Sequence, residues 1–233
     1  MRRSMRRALQ VLPGGDRLLE TYRGFRRLVR RDPSEHRGYV GGMWEEIGRV
    51  QLDFMVRQGL KPQDILVDVG CGSLRGGRLF IAYLDPEHYL GIDHHTWLIK
   101  AGLKHEVPKR LREEKRPQFV TSDRFEFHKF GKRPNYGIAQ SLFSHLTKDD
   151  ILLCLANLRA EMQAGGRFYA TFVPKGFLPE DYVNPKHSED RQAFHYDVEE
   201  ILGIGREAGW QPRYIGDWGH PRGQQMLEFL AQH

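Results

Sequence analysis

The chain has 233 residues, of which 39% are hydrophobic and 28% are charged, and its formal net charge is +6. These values are typical of a globular protein and exclude a wholly disordered chain. Its two cysteines, Cys71 and Cys154, provide no disulfide framework and no metal-ligand spacing, so we expect reduced thiols, no bound metal and a cytoplasmic location. No apolar run approaches the roughly 18 residues of a membrane span.

The N-terminal segment is strongly basic. Residues 1–31 hold ten arginines against two acidic residues, a balance of +8, which leaves −2 of the net +6 for the rest of the chain. Apolar residues at helical spacing predict two amphipathic helices here, separated by a break at residues 13–15 and followed by a loop at residues 31–42. We predict a basic helical extension over residues 1–42 that packs on the domain or docks on anionic membrane or an acidic partner.

Strand and helix patterns alternate after this extension. Residues 43–59 place apolar side chains on one helical face and end at a glycine, which predicts a helix. The alternation that follows is typical of a parallel sheet with helices on both of its faces. The predicted strands are residues 65–70, 89–93, 118–123, 136–142 and 167–173, and the predicted helices are residues 75–84, 96–107 and 148–164.

The C-terminal part breaks this alternation. A helix predicted over residues 197–209 is followed by two successive strand patterns, at residues 212–218 and 224–231. The turn between these strands is too short for a crossover to a parallel neighbour. The two strands should therefore pair antiparallel.

The segment "VDVGCGSLRGG" follows the first predicted strand. Gly70 and Gly72 lie where open α/β sheets bind ligands, and glycine at that place lets ligand atoms approach the backbone. With Gly76 the spacing would also suit a dinucleotide enzyme, although Gly76 is better explained by helix packing. Asp68 opposes a pyrophosphate beside the turn and favours a ligand that carries positive charge.

This segment resembles motif I of class I S-adenosylmethionine (SAM)-dependent methyltransferases, whose usual form is acid-x-Gly-x-Gly-x-Gly. Leu74 stands here where the third glycine is commonest. The resemblance implies a methyltransferase domain over residues 43–233 with SAM as its cofactor. It also implies an α/β fold with a Rossmann-like, seven-stranded, mostly parallel sheet, an antiparallel C-terminal hairpin and helices on both faces.

Three further strand ends agree with the resemblance. Asp93 ends the second strand, where two carboxylate oxygens would accept from two ribose hydroxyls, although an acid there often caps the next helix instead. Asp123 would accept from the adenine amino group, with Phe125 over the ring. The resemblance also implies that Gln140, Ser141 and Leu142 would border the methyl group. The predicted cofactor-binding residues are Asp68, Gly70, Cys71, Gly72, Asp93, His94, Asp123, Arg124, Phe125, Gln140 and Ser141.

Histidines are the candidate catalytic residues. Methyl transfer mainly needs alignment and exclusion of water, but a hydroxyl nucleophile also benefits from a base with a pKa near neutral. His145, His220 and His195 are the candidates, and each of them could have a structural role instead. The pair His94 and His95 is better explained as a helix start than as a metal site.

The long connection at residues 174–196 should cover the substrate, together with the helix that carries Trp44 and Glu45. Its aromatic and charged residues suit a small polar acceptor, such as a hydroxyl of a sugar-containing or other secondary metabolite. The alternatives are an RNA methyltransferase, a non-catalytic SAM-binding module and an NADP-dependent oxidoreductase. The −2 charge outside the extension, and the lack of an "NPPY"-type segment after the fourth strand, oppose nucleic acid as the partner.

Overall fold

The structure is a computed structural model that describes residues 35–176, 184 and 193–232. The two basic helices predicted within residues 1–31 lie outside the described residues. So does most of the predicted substrate cover, at residues 177–183 and 185–192. In the part of the chain that is described, no helix is both long enough and apolar enough to cross a membrane.

A mixed β-sheet lies at the centre of the domain. Its strands are β1 (Leu66–Val69), β2 (Tyr89–Asp93), β3 (Gln118–Thr121), β4 (Tyr136–Ala139), β5 (Arg167–Pro174), β6 (His195–Tyr196), β7 (Gln211–Gly216) and β8 (Gln225–Leu230). The strand order is β3-β2-β1-β4-β5-β8-β7, with the two-residue β6 beside β5. Strands β1 to β5 are parallel, and β8 is antiparallel to both β5 and β7. The predicted seven-stranded sheet with an antiparallel hairpin is confirmed, and β6 is an addition.

Helices cover both faces of this sheet. They are α1 (Glu35–Tyr39), α2 (Trp44–Arg57), α3 (Gly77–Tyr83), α4 (Thr96–His105), α5 (Lys109–Lys115), α6 (Lys148–Glu161) and α7 (Val198–Glu207). Alternate side chains of β1 enter two separate cores, because successive residues of a strand point to opposite faces. Val67 and Val69 pack in the core that contains α6 and α7, and Leu66 packs in the core that contains α2 and α3.

Helix α1 corrects the prediction of a loop at residues 31–42. It has five residues, too few to show a helical repeat in the sequence, and long-range contacts hold it. Arg37 donates two hydrogen bonds of 2.7 Å each to the carboxylate of Glu106, at the end of α4. The loop after α1 is thereby fixed above the sheet.

Close backbone packing holds α4 against the loop that follows β1. A Cβ added to Gly102 would lie 2.5 Å from the carbonyl oxygen of Ser73 in that loop. The neighbouring Leu74 has a φ of +68°, which glycine adopts most easily, but its side chain is fully buried. The predicted packing role of Gly76 is also confirmed, since a Cβ there would meet Gln51 of α2 at 2.5 Å.

This packing predicts opposite effects for two glycine-to-alanine changes in helices. Gly102→Ala should lower the free energy of unfolding by about 1–3 kcal/mol, because the new methyl group meets backbone that cannot move aside. Gly203→Ala in α7 should raise it by about 0.5–1 kcal/mol, since a Cβ there meets no atom within 4 Å. Urea denaturation measures both, and a Gly102→Ala variant as stable as Gly203→Ala would contradict the close approach of α4.

Candidate cofactor and active site

A cavity of about 540 Å³ opens above the carboxyl ends of β1, β2 and β4. In this sheet β2 lies on one side of β1 and β4 lies on the other, so the strand order reverses at β1. Such a switch point is where open α/β sheets bind ligands. The cavity is lined by nine residues of the predicted site: Gly70, Gly72, Asp93, His94, Asp123, Phe125, Gln140, Ser141 and His145.

Asp93 connects two walls of this cavity. One carboxylate oxygen accepts from the backbone N–H of Gly72 at 2.8 Å, and the other accepts from the backbone N–H of His95 at 2.7 Å. The side chain is buried but lines the cavity. Each oxygen keeps one more accepting position, so the group can still bind two neighbouring hydroxyls of a ligand.

Positive φ angles shape the glycine turn after β1. Gly70 has a φ of +71° and Gly72 a φ of +53°, which side chains with a Cβ rarely adopt. A Cβ on Gly70 would lie 3.1 Å from Leu142, and a Cβ on Gly72 would lie 3.0 Å from Val40. The turn therefore presents bare backbone to the cavity between these two side chains.

Asp68 lies behind the turn and does not line the cavity. Its carboxylate accepts a 2.7 Å hydrogen bond from the hydroxyl of Tyr89 and is 5% exposed. Burial raises the pKa of Asp68 to about 7, and the Tyr89 hydrogen bond and the charge of Arg75 act in the opposite direction. Because Asp68 alternates with Val67 and Val69 along β1, its side chain points to the face of the sheet that carries α2 and α3.

Two further predicted cofactor residues lie beside the cavity. Cys71 is buried, and this burial raises the pKa of its thiol well above the usual value. Arg124 donates its backbone N–H to Ser122 and accepts from Asn157 at its carbonyl. For these two residues, as for Asp68, contact with the cofactor stays a prediction.

The three candidate histidines occupy different positions. His145 ends a short 3₁₀ turn at Phe143–His145 and lines the cavity. His195 lies on β6, paired with Val173, and is not among the lining residues. His220 is 5% exposed in the turn between β7 and β8.

Both ring nitrogens of His220 contact protein groups. Nδ1 lies 3.2 Å from the backbone N–H of Arg222, and Nε2 lies 3.1 Å from the side-chain nitrogen of Gln140. Burial lowers the pKa of His220 to about 4, together with the charges of Arg75 and Arg222. The ring is therefore neutral near pH 7, and a group with so low a pKa is a weak base.

Sequence reasoning missed the roof of the cavity. Tyr39, Val40 and Gly41 line it from the end of α1. Arg75 donates to the carbonyls of Val40 and Gly42 at 2.9 and 2.8 Å, and the Arg222 guanidinium donates to the carbonyl of Gly41. Leu142, which was predicted to border the methyl group, also lines the cavity. The other lining residues that were missed are Val69, Ile92, His95, Leu98, Ser122, Leu146, Asp150, Arg222 and Gln224.

A metal-binding arrangement also exists at one end of the cavity. Asp93, His94 and His95 each place one ligand atom within 4.8 Å of the others. An ion there would take the accepting positions of Asp93 that its two backbone hydrogen bonds leave for the hydroxyls of a ligand.

The strand order, the antiparallel β8 and the glycine turn at the switch point define the class I SAM-dependent methyltransferase fold. No protein-family model matches the chain. Among solved structures the chain is similar to magnesium protoporphyrin IX methyltransferase (ChlM) from Synechocystis PCC 6803 with bound SAM, at 15% identity over 90% of each chain and a TM-score of 0.58. It is also similar to SAM-bound CalS10, an amino pentose methyltransferase from Micromonospora echinaspora, at 14% identity over 83% of this chain and 94% of that chain, with a TM-score of 0.62. A third similar structure is the glycopeptide N-methyltransferase MtfA complexed with SAM, at 15% identity over 80% of this chain and 94% of that chain, with a TM-score of 0.59.

The buried carboxyl of Asp68 predicts a specific pH dependence of stability. Its pKa is raised from 3.8 to about 7 in the folded protein, so the folded state holds a proton that the unfolded state releases between these pH values. Stability is therefore lost as the pH rises through this window. Asp68→Asn should raise the free energy of unfolding at about pH 8 by on the order of 2 kcal/mol, and this gain should shrink as the pH falls towards 4.

Urea denaturation of both proteins at several pH values measures this difference. At each pH, the free energy of unfolding of the parent protein is subtracted from that of the variant. This difference removes the effect of the carboxylates that both proteins contain. A gain that does not change with pH, or a loss at about pH 8, would contradict a protonated Asp68.

Proposed function

We propose that this protein transfers a methyl group from SAM to a hydroxyl of a small polar acceptor, such as a sugar-containing or other secondary metabolite. The observation that carries the proposal is the order of groups along the cavity. Because β1, β2 and β3 are successive neighbours in the sheet, the bare backbone of Gly70 and Gly72 after β1 is followed by the carboxylate of Asp93 at the end of β2. Asp123 and Phe125, after β3, come next. An amino-acid end, a ribose and an adenine would meet these groups in the same order.

The cavity fits the cofactor in size and chemistry. Its volume of about 540 Å³ lies within the roughly 300–1,000 Å³ of small-molecule sites. Asp93 would hold the two ribose hydroxyls, and Asp123 would accept from the adenine amino group. Phe125 lies within reach of the ring, and the backbone of the glycine turn would hold the amino-acid end.

The chain's own residues align the acceptor and remove its proton. When bound, SAM supplies the methyl group: an oxygen lone pair forms the new C–O bond as the C–S bond breaks, and the electrons of that bond return to sulfur. His145 lies on the cavity wall after β4, where it would accept the proton that the hydroxyl loses. The roof at residues 39–41 would exclude water from this region.

Two observations favour SAM over NADP. An antiparallel strand, β8, lies between β5 and β7, whereas the Rossmann sheet of dinucleotide enzymes is parallel with the order 3-2-1-4-5-6. In addition, the backbone N–H of Gly72 is already donated to Asp93. A pyrophosphate would need such N–H groups and would be repelled by the carboxylate.

The similar structures support a small acceptor. Their names give a magnesium porphyrin, an amino pentose and a glycopeptide as the molecules that those proteins methylate. One of them is an N-methyltransferase, so the fold leaves the choice between oxygen and nitrogen to the residues of the site. Methylation of RNA and cofactor binding without catalysis are the competing functions.

Titration calorimetry with SAM and with NADP tests the cofactor directly. We expect the protein to bind SAM, and Asp93→Ala to weaken this binding at least about tenfold, because two charge-assisted hydrogen bonds to the ribose are lost. Asp85→Ala is the matched control. This exposed aspartate lies before the first residue of β2, at the end of the strand away from the cavity.

Binding of NADP without SAM would overturn the proposal. Transfer of a labelled methyl group into an extract of small metabolites, but not into RNA, is the expected result with active protein. SAM binding with no transfer to either pool would favour the non-catalytic module.

A further inference from the structure

Hydrogen bonds around Ser141 run in one fixed direction. The backbone N–H of Ser141 can only donate, and it donates to the hydroxyl of Thr171 at 2.7 Å. In the structure this hydroxyl also donates its own hydrogen to Oε1 of Gln224, at 2.8 Å. The amide of Gln224 is thereby oriented, and its Nε2 donates to the side-chain oxygen of Ser141 at 2.6 Å.

A second donor fixes the other amide. The guanidinium of Arg75 can only donate, and it donates to Oε1 of Gln140. The nitrogen of the Gln140 amide must then lie on the other side, where it donates to Oγ of Ser141 at 2.8 Å. It also lies 3.1 Å from Nε2 of His220, which must then be the accepting nitrogen of that neutral ring. Arg75, which has no accepting atom, sets the orientation of the Gln140 amide, and the bond from the Thr171 hydroxyl sets that of the Gln224 amide.

The hydroxyl of Ser141 can consequently form one further hydrogen bond, as a donor. Two N–H groups occupy the two accepting positions of its oxygen, so only its hydrogen is left to form a bond. Within residues 35–176, 184 and 193–232, Oγ of Ser141 donates to no protein group. The residue lines the cavity, and its φ of +58° holds it in a conformation that few side chains adopt.

Ser141 lies at the place where methyl transfer would occur. It is the second residue after the end of β4, and the next residue, Leu142, packs against the glycine turn, 3.1 Å from the position of a Cβ on Gly70. The hydrogen that Ser141 offers to the cavity is therefore close to the amino-acid end of the proposed cofactor site.

A donor at this place distinguishes oxygen from nitrogen in the acceptor. A hydroxyl oxygen has two lone pairs, so one can accept from Ser141 while the other attacks the methyl carbon. A neutral amine has a single lone pair and cannot do both, and an ammonium group offers only donors. We propose that Ser141 is a specificity-determining residue that selects oxygen over nitrogen acceptors, an inference that rests on the proposed function.

Two defined probes test this without knowledge of the natural acceptor. Both are SAM analogues with nitrogen in place of sulfur and a two-carbon arm in place of the methyl group. The arm ends in a hydroxyl in one probe and in an amine in the other. S-adenosylhomocysteine (SAH), which has no arm, is the reference, and titration calorimetry gives the three dissociation constants.

The expected readout is the ratio of the two probe affinities. Ser141→Ala and Ser141→Gly should both move this ratio, with each affinity taken relative to that of SAH for the same variant, towards the amine by about five- to tenfold, the effect of one hydrogen bond. Alanine keeps the left-handed backbone strained, whereas glycine relieves it. Equal shifts in the two variants therefore separate loss of the hydroxyl from any change in the backbone.

Thr171→Val gives a test in which the serine is retained. Without the hydroxyl of Thr171, the amide of Gln224 is free to turn and to accept the hydrogen of Ser141. The probe ratio should again move towards the amine, by a similar factor. A purely steric role of Ser141 predicts no shift in this variant, and thermal melting establishes that it is folded.

Two results would overturn the inference alone: an unchanged ratio in both Ser141 variants, or an equal weakening of SAH and the hydroxyl probe. The second result would mean that Ser141 donates to the cofactor. Failure of the parent protein to bind SAH would instead overturn the proposed function, and this inference with it.

Discussion

The carboxylate of Asp93 holds the proposed site together. It accepts one backbone N–H from the glycine turn after β1 and another from the start of α4, so that the ends of two strands share one buried acceptor. Each bond to a carboxylate is stronger than a neutral one. Asp93 also lines the cavity, and therefore the group that connects two of its walls is also the group proposed to bind the ribose.

A buried cation organises the opposite side. Arg75 is 7% exposed, and burial lowers its pKa to about 10, so the guanidinium stays charged near pH 7. It donates to the carbonyls of Val40 and Gly42 in the roof and to the amide of Gln140 in the wall. Its Nε is buried without a hydrogen-bond partner among the described residues, so the bonds to the roof and the wall must offset the cost of burying the charge. This favours a single arrangement of roof and wall. The direction of the hydrogen bonds at Ser141 follows from this arrangement.

The sequence predicted those parts of the site that lie at strand ends. Gly70, Asp93 and Asp123 could be placed because short apolar runs mark the strands and the carboxyl ends of parallel strands meet at one edge. The inward direction of Asp68 was readable from its alternation with valines in β1, but the resemblance to motif I suggested a ligand contact. The roof and Arg222 could not be predicted, because they depend on contacts between residues far apart in the chain.

The cavity is proposed to bind an adenosine with its ribose on Asp93, and a crystal structure of the protein grown with SAH would show this. We expect both ribose hydroxyls within hydrogen-bond distance of the Asp93 carboxylate and the adenine beside Phe125. An empty cavity at saturating SAH, or SAH bound elsewhere on the protein, would contradict it.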